Sequence, residues 1–200
     1  MASPKVTQYA PLGILALIVL LFYPSFRDLF AVWTVWDQSQ SHGIPVVLMF
    51  VYFLWKTMPW PSAEKIGGER FFVASALMVC VLLWIVFYVV KIKILHELLL
   101  MPILIAALAL VFGLKTVWSH RVLLLLPIYV IPIWDFINDY LVFLSSTVVA
   151  EMVRAIKLPA LINGNNIQIP SGHIVIADGC SGLRYFIISL CLAHTVSYMN

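Results

Sequence analysis

Apolar residues in this chain run in long blocks and do not alternate with polar ones, which is a helical and membrane pattern. Six such blocks stand out, near Tyr9–Tyr23, Ile44–Met58, Phe71–Val90, Ile94–Leu114, Val122–Trp134 and Ser181–Met199. Several approach the roughly 20 apolar residues that a helix needs to cross a bilayer. Polar breaks separate them at Met58-Pro59-Trp60-Pro61, Ala63–Arg70, Lys91-Ile92-Lys93 and Lys115–Arg121. Between the fifth and sixth blocks the pattern changes. Phe136–Ile156 keeps apolar residues at helical spacing but carries Asp139, Glu151 and Arg154, which suits a helix lying at the interface or partly re-entrant. Strands at Ile167–Ile169 and Ile174–Ala177 flank Pro170-Ser171-Gly172 and predict a short hairpin leading into the last block. The expectation is one domain over residues 1–200. It is an all-α polytopic membrane protein of about six transmembrane helices, with an interfacial helix and a short β-hairpin before the last span.

Composition strengthens this reading. With 63% hydrophobic and 10% charged residues, the chain lacks the polar surface that would cover a soluble core. A net charge of +3 without a basic run gives no nucleic-acid footprint. With the N-terminus in the cytoplasm, inner loops carry six Lys/Arg and outer loops five, so charge hardly orients the chain. Helix parity instead puts Trp33–His42 and Asp135–Gly179 on one face. Trp33, Trp36, Trp60, Trp118 and Trp134 fall near block ends, as interfacial anchors do. Tyr23-Pro24-Ser25-Phe26 offers no small-residue cleavage site, so the first block reads as a retained helix.

Three cysteines make no disulfide framework, and Cys80 and Cys191 sit inside apolar blocks as small hydrophobes. Cys180 differs, because it opens the final block at the water boundary. Asp178 or a neighbour can cap that helix, and its free N–H groups would stabilise a thiolate. Arg184 at i+4 would add a positive neighbour, and Gly179 and Gly182 would let another chain come close. The alternative is a small apolar cysteine beside a snorkelling arginine. The base is less clear. His194 lies roughly 21 Å further along the helix. His173 reads as a solvated turn residue, His42 as a loop residue before the second span, His96 and Glu97 as an interfacial pair, and His120 as a loop residue beside Arg121. Asp135, Asn138 and Asp139 follow Pro132-Ile133-Trp134 and read as a polar mouth or a satisfied helix end. No histidine pair has metal-site spacing, and no phosphate loop or Gly-x-Ser-x-Gly elbow is present, so neither metal nor cofactor is expected.

Four motifs in order carry a resemblance. Ser41-His42-Gly43 is followed by Trp134-Asp135-Phe136-Ile137-Asn138 with Leu141, by Gly164 through Ile169-Pro170-Ser171-Gly172, and by Asp178-Gly179-Cys180-Ser181-Gly182-Leu183-Arg184-Tyr185. Together they resemble the bacterial exosortases, relatives of the archaeosortases. The resemblance implies an inner-membrane cysteine transpeptidase, with Cys180 near the periplasmic face as the nucleophile that forms an acyl-thioester. Arg184, Ser181, Gly182 and His42 would support it. Implied partners are the lipid bilayer and exported proteins with a C-terminal signal: a Pro-Glu-Pro-type motif, an apolar helix and a basic tail. Such systems accompany exopolysaccharide production. The family's catalytic arginine and histidine lie on two later helices and are expected beyond Asn200, so residues 1–200 alone are expected to show no turnover. Arg184 and His194 do not take those roles. A second reading is a non-enzymatic membrane component of a polysaccharide or sorting machine. A transporter-like bundle is disfavoured, since intramembrane charges are few and the two halves do not repeat.

Overall fold

A computed structural model describes residues 9–35, 40–57, 68–169, 172–176 and 181–199. Helices α1 (Ala10–Leu21) and α2 (Tyr23–Trp33) meet at a 93° bend at Phe22. Pro24 lies in the first turn of α2, where its missing N–H costs nothing, so the residue that reads as a breaker starts a helix instead. The first expected block is therefore a 12-residue helix, and Pro24–Trp33 is helix where a loop was expected. Helix α3 spans Gly43–Thr57 and α4 spans Glu69–Val89. A tight turn with Lys91 at φ +63° leads to α5 (Lys93–Leu98) and α6 (Leu100–Phe112), which pack back against α4. Gly113, at φ +87°, allows the next change of direction. Part of the expected Lys115–Arg121 break is helix α7 (Leu114–Ser119).

The fifth block departs most from expectation. It forms helix α8 (Arg121–Leu125), then 3-10 turns at Leu126–Val130 and Pro132–Trp134, with Ile131 extended between them at φ −89° and ψ 136°. Pro127 and Pro132 cannot donate backbone hydrogen bonds, so a continuous helix cannot pass through them at full strength. Helix α9 (Asp135–Ala155) follows, then strands β1 (Leu161–Asn163), β2 (Asn166–Ile169) and β3 (Gly172–Val175), and helix α10 (Leu183–Met199). The hairpin is present with β2 paired antiparallel to β3, and β1 adds a third strand on the other side of β2.

Among the described residues, three helical stretches are long and apolar enough to cross a membrane: Glu69–Val89, Lys93–Phe112 and Pro132–Ala155. The bent α1–α2 pair makes up to four, while Gly43–Thr57, Arg121–Val130 and Leu183–Met199 are shorter. The six blocks are thus not six long straight helices. Length would let α9 cross, but its buried face argues otherwise. Val142, Ser146 and Ala150 are its buried residues; Val142 packs with Ile167 and Ile176, and Ser146 Oγ lies 3.0 Å from Asn165 Oδ1. The sheet therefore lies along the middle of α9. Its outer strands have open edges, and Asn163, Asn166, Gln168 and His173 are exposed, a surface that hydrocarbon does not accommodate. Exposed Phe136, Tyr140, Phe143 and Leu144 are left to meet the bilayer. This geometry favours the interfacial position.

The main core gathers Leu29, Trp33, Phe50, Leu54, Leu104, Leu108, Leu123, Leu126 and Cys191 from six elements. Gly43 is part of its packing, because a Cβ there would stand 2.3 Å from Trp33 Cδ1. Gly43→Ala should lower stability by about 1–3 kcal/mol, the usual range for overpacking, as read by thermal unfolding in detergent. Single cysteines replacing Asp139 and Arg154 should react with a membrane-impermeant maleimide from the same side of the membrane. Labelling from opposite sides would make α9 a span.

Candidate active site

The broken stretch before α9 is the best-organised polar feature of the described structure. In a continuous helix, the carbonyls of Ile128, Tyr129 and Val130 would be met by backbone N–H groups four residues on. Pro132 has no N–H, and the extended Ile131 turns the chain away. Three aromatic ring N–H groups replace the lost donors. Trp134 Nε1–H donates to Ile128 O at 3.0 Å, His42 Nε2–H to Tyr129 O at 2.9 Å, and Trp33 Nε1–H to Val130 O at 2.8 Å. The Tyr129 ring stacks on Trp134 at 5.9 Å between centroids. Its hydroxyl lies 3.3 Å from His194 Nδ1, while His194 Nε2–H donates to Val122 O. His194 Nε2 faces a carbonyl and must carry the proton, so in the neutral ring Nδ1 accepts from the Tyr129 hydroxyl.

This arrangement changes several sequence readings. His42 is a buried residue at 7% exposure. It ties the Ser41-His42-Gly43 motif to the turn before Trp134-Asp135-Phe136. Trp33, read as an interfacial anchor, is buried and spends its indole N–H inside the protein. Trp118 fits the anchor reading, at 67% exposure. Trp36 and Trp60 lie outside the described residues. Sequence reasoning missed Tyr129 and the Trp33 bond. The available signal was the pair Pro127 and Pro132, which announces carbonyls in need of donors.

At the other end of the site, α10 begins at Leu183. Ser181 Oγ accepts the Leu183 N–H at 3.2 Å, so the capping neighbour is Ser181. Gly182 has φ +73°, a left-handed conformation that costs other L-residues about 1–2 kcal/mol. Among the described residues no atom lies within 4 Å of where its Cβ would be, so this glycine answers to backbone shape. Cys180, Asp178 and Gly179 lie outside the described residues. The i,i+4 argument for Arg184 assumed helix through residues 180–184. A left-handed Gly182 ends that assumption, and Arg184 stands in the first turn of α10, half-buried. A cation there opposes the helix dipole. Helix stability does not explain it.

The remaining candidates are dispersed. His96 and Glu97 are both buried, and no bond between the two is seen. Trp84 Nε1–H donates to Ser25 Oγ at 2.9 Å, and the same oxygen lies 2.9 Å from His96 Nδ1. His120 bridges the carbonyls of Thr116 and Thr57, at 2.9 and 3.1 Å. His173 lies on β3 opposite Gln168 and is exposed. Asp135, Phe136 and Asp139 line a cleft with Lys93 and Glu97.

A family model described as transmembrane exosortase matches residues 32–200, which include all four motifs and every member of the aromatic cluster. Neither the curated proteins nor the solved structures contain a match to the chain.

His42→Ala should leave the Tyr129 carbonyl without its ring donor in an apolar setting and cost about 1–3 kcal/mol. His42→Gln, which keeps an N–H, should cost less. Unfolding in detergent reads both, and an unchanged midpoint for His42→Ala would show that the bond carries no weight.

Proposed function

The chain belongs to the transmembrane exosortase family, membrane proteins of protease-like sorting function and in general cysteine transpeptidases, and on that premise we propose that it is a single-domain sorting transpeptidase with Cys180 as its nucleophile. The observation that carries the reading is the family match itself, whose range of residues 32–200 includes Cys180-Ser181-Gly182-Leu183-Arg184-Tyr185. In this reading the substrate is an exported protein with a Pro-Glu-Pro-type motif, an apolar helix and a basic tail at its C-terminus. The Cys180 thiolate attacks the carbonyl of a peptide bond near that motif, the amine leaves with a proton, and the acyl group stays on sulfur as a thioester. An acceptor nucleophile then displaces the thiol.

The parts around Cys180 fit this use. The Ser181 cap and left-handed Gly182 fix how the chain enters α10, and the positive end of that helix favours a nearby anion. Arg184 supplies positive charge where the helix itself would disfavour it. His42 acts indirectly, holding the turn before Asp135 in place. The setting is the bacterial inner membrane with Cys180 near the periplasmic face, in a system tied to exopolysaccharide production.

A second reading is a non-enzymatic component of the same sorting or polysaccharide machinery. It is favoured by one observation: His42 and His194 both spend their Nε2–H on backbone carbonyls.

Co-expression with a tagged substrate carrying the C-terminal signal separates the two, using the gene with any codons that follow Asn200. Cys180→Ser should abolish processing. Cys191→Ser, at a core position 2% exposed, should retain it and lose only modest stability. Equal loss from both variants would assign the cysteines to packing. Arg184→Ala should slow alkylation of Cys180 at neutral pH; an unchanged rate removes arginine from thiolate support.

A further inference from the structure

Pairing in the small sheet fixes which backbone groups it leaves free. The β2–β3 register sets Val175 opposite Asn166, and one step further Ile176 N–H donates to Asn165 O at 2.9 Å. Hydrogen-bonded and non-hydrogen-bonded pairs alternate along an antiparallel ladder. Ile174–Ile167 and Gly172–Ile169 are therefore bonded pairs, while Val175–Asn166 and His173–Gln168 are not. Asn166 and Gln168 turn their N–H and C=O groups the other way, to Asn163 and Leu161 on β1. The two-residue loop Gly164-Asn165, with Gly164 at φ +58°, closes a hairpin in this phase. His173 and Val175 turn theirs off the open edge of β3, and among the described residues no backbone hydrogen bond meets them.

This edge differs from the one on the far side of the sheet. There β1 turns out only Ile162, and Lys157 and Pro159 stand just before the strand. Lysine and proline blunt an edge against pairing. Strand β3 contains neither, and its register runs without a bulge. Both outward residues are exposed, Val175 at 54%. The exposed amides of the sheet hold it at the water boundary, where an extended chain reaches it without crossing hydrocarbon. Cys180 follows Val175 by five residues, so the chain can carry it no more than about 18 Å from this edge.

Building on the transpeptidase reading, we propose that the β3 edge is where the substrate docks: an extended stretch of the exported polypeptide adds as a further strand. Its main chain exchanges hydrogen bonds with the N–H and C=O groups of His173 and Val175. Pairing of this kind reads extended backbone and fixes the direction of the peptide, leaving side-chain choice to other contacts. The occupant is the substrate because the edge runs directly into the segment that bears the nucleophile.

Proline separates main-chain from side-chain contributions. Val175→Pro and His173→Pro each delete one outward N–H and no ladder bond, a change that an edge strand tolerates. Val175→Ala and His173→Ala trim the side chain and keep the N–H. Each is made in the full chain, with any residues encoded after Asn200, and with Cys180→Ser so that the substrate stays uncut. In detergent, each proline should weaken binding of the fluorescently labelled substrate about three- to tenfold, as loss of one hydrogen bond does. Each alanine should change it less than twofold. Unchanged binding in both proline variants, or equal losses in proline and alanine variants, would overturn the proposal. Benzoylphenylalanine in place of Val175 provides a check in a chain without the added prolines. Photo-crosslinking to the substrate supports the docking edge; crosslinking only to a second copy of the chain, or none, overturns it. Binding is read without turnover, so its failure is distinct from failure of the nucleophile assignment.

Discussion

Three backbone carbonyls that lose their helical donors are the constraint on which this structure turns. In an apolar setting an unmet carbonyl costs several kcal/mol, and Ile128, Tyr129 and Val130 present three in succession. Water is a poor remedy inside a helical bundle, so the donors must come from side chains. Indole and imidazole suit the task because they combine a large apolar body with one directed N–H. Trp134, His42 and Trp33 each supply one. The cluster joins segments far apart in the chain, with the Trp33 bond alone linking residues 97 positions apart.

This cluster brings two of the sequence motifs together. The Ser-His-Gly segment at the start of α3 and the Trp-Asp-Phe segment at the start of α9 meet at adjacent carbonyls, so they lie at one level of the molecule. Gly43 contributes by letting α3 approach the Trp33 ring, and His194 carries the cluster across to α10. The sheet lying on α9 adds a depth marker, since open strand edges and exposed amides require water or headgroups. Cys180 lies in the sequence between that sheet and α10. A thiol reading exported substrates would belong at this boundary.

Membrane class, the hairpin, α4 and the α5–α6 hairpin partner were legible in the sequence because long apolar runs and turn residues act locally. The first and fifth blocks were not. Hydropathy counts side chains and does not register how the backbone is bonded, so a run interrupted by Pro127 and Pro132 looks like any other span. Pro24 misled in the opposite direction, since a proline marks a helix start as readily as a stop. At the site, the Cys180–Tyr185 and Ser41–Gly43 motifs were visible as patterns. The reason for His42 was not, because its partner carbonyl is 87 positions away. The buried Glu97 likewise read as an interfacial residue, as only the fold reveals that α2, α4 and the Pro132–Trp134 turn pack against its helix.

Hydrogen exchange of the tryptophan indole N–H groups, followed by NMR in detergent, tests the central claim most directly. Exposed Trp118, which makes no indole hydrogen bond in the described structure, serves as the internal reference. If ring donors hold the turn before α9, the Trp33 and Trp134 indoles exchange orders of magnitude more slowly than Trp118, and replacing His42 by alanine speeds both together. Trp33 and Trp134 exchanging as fast as Trp118 would contradict the account.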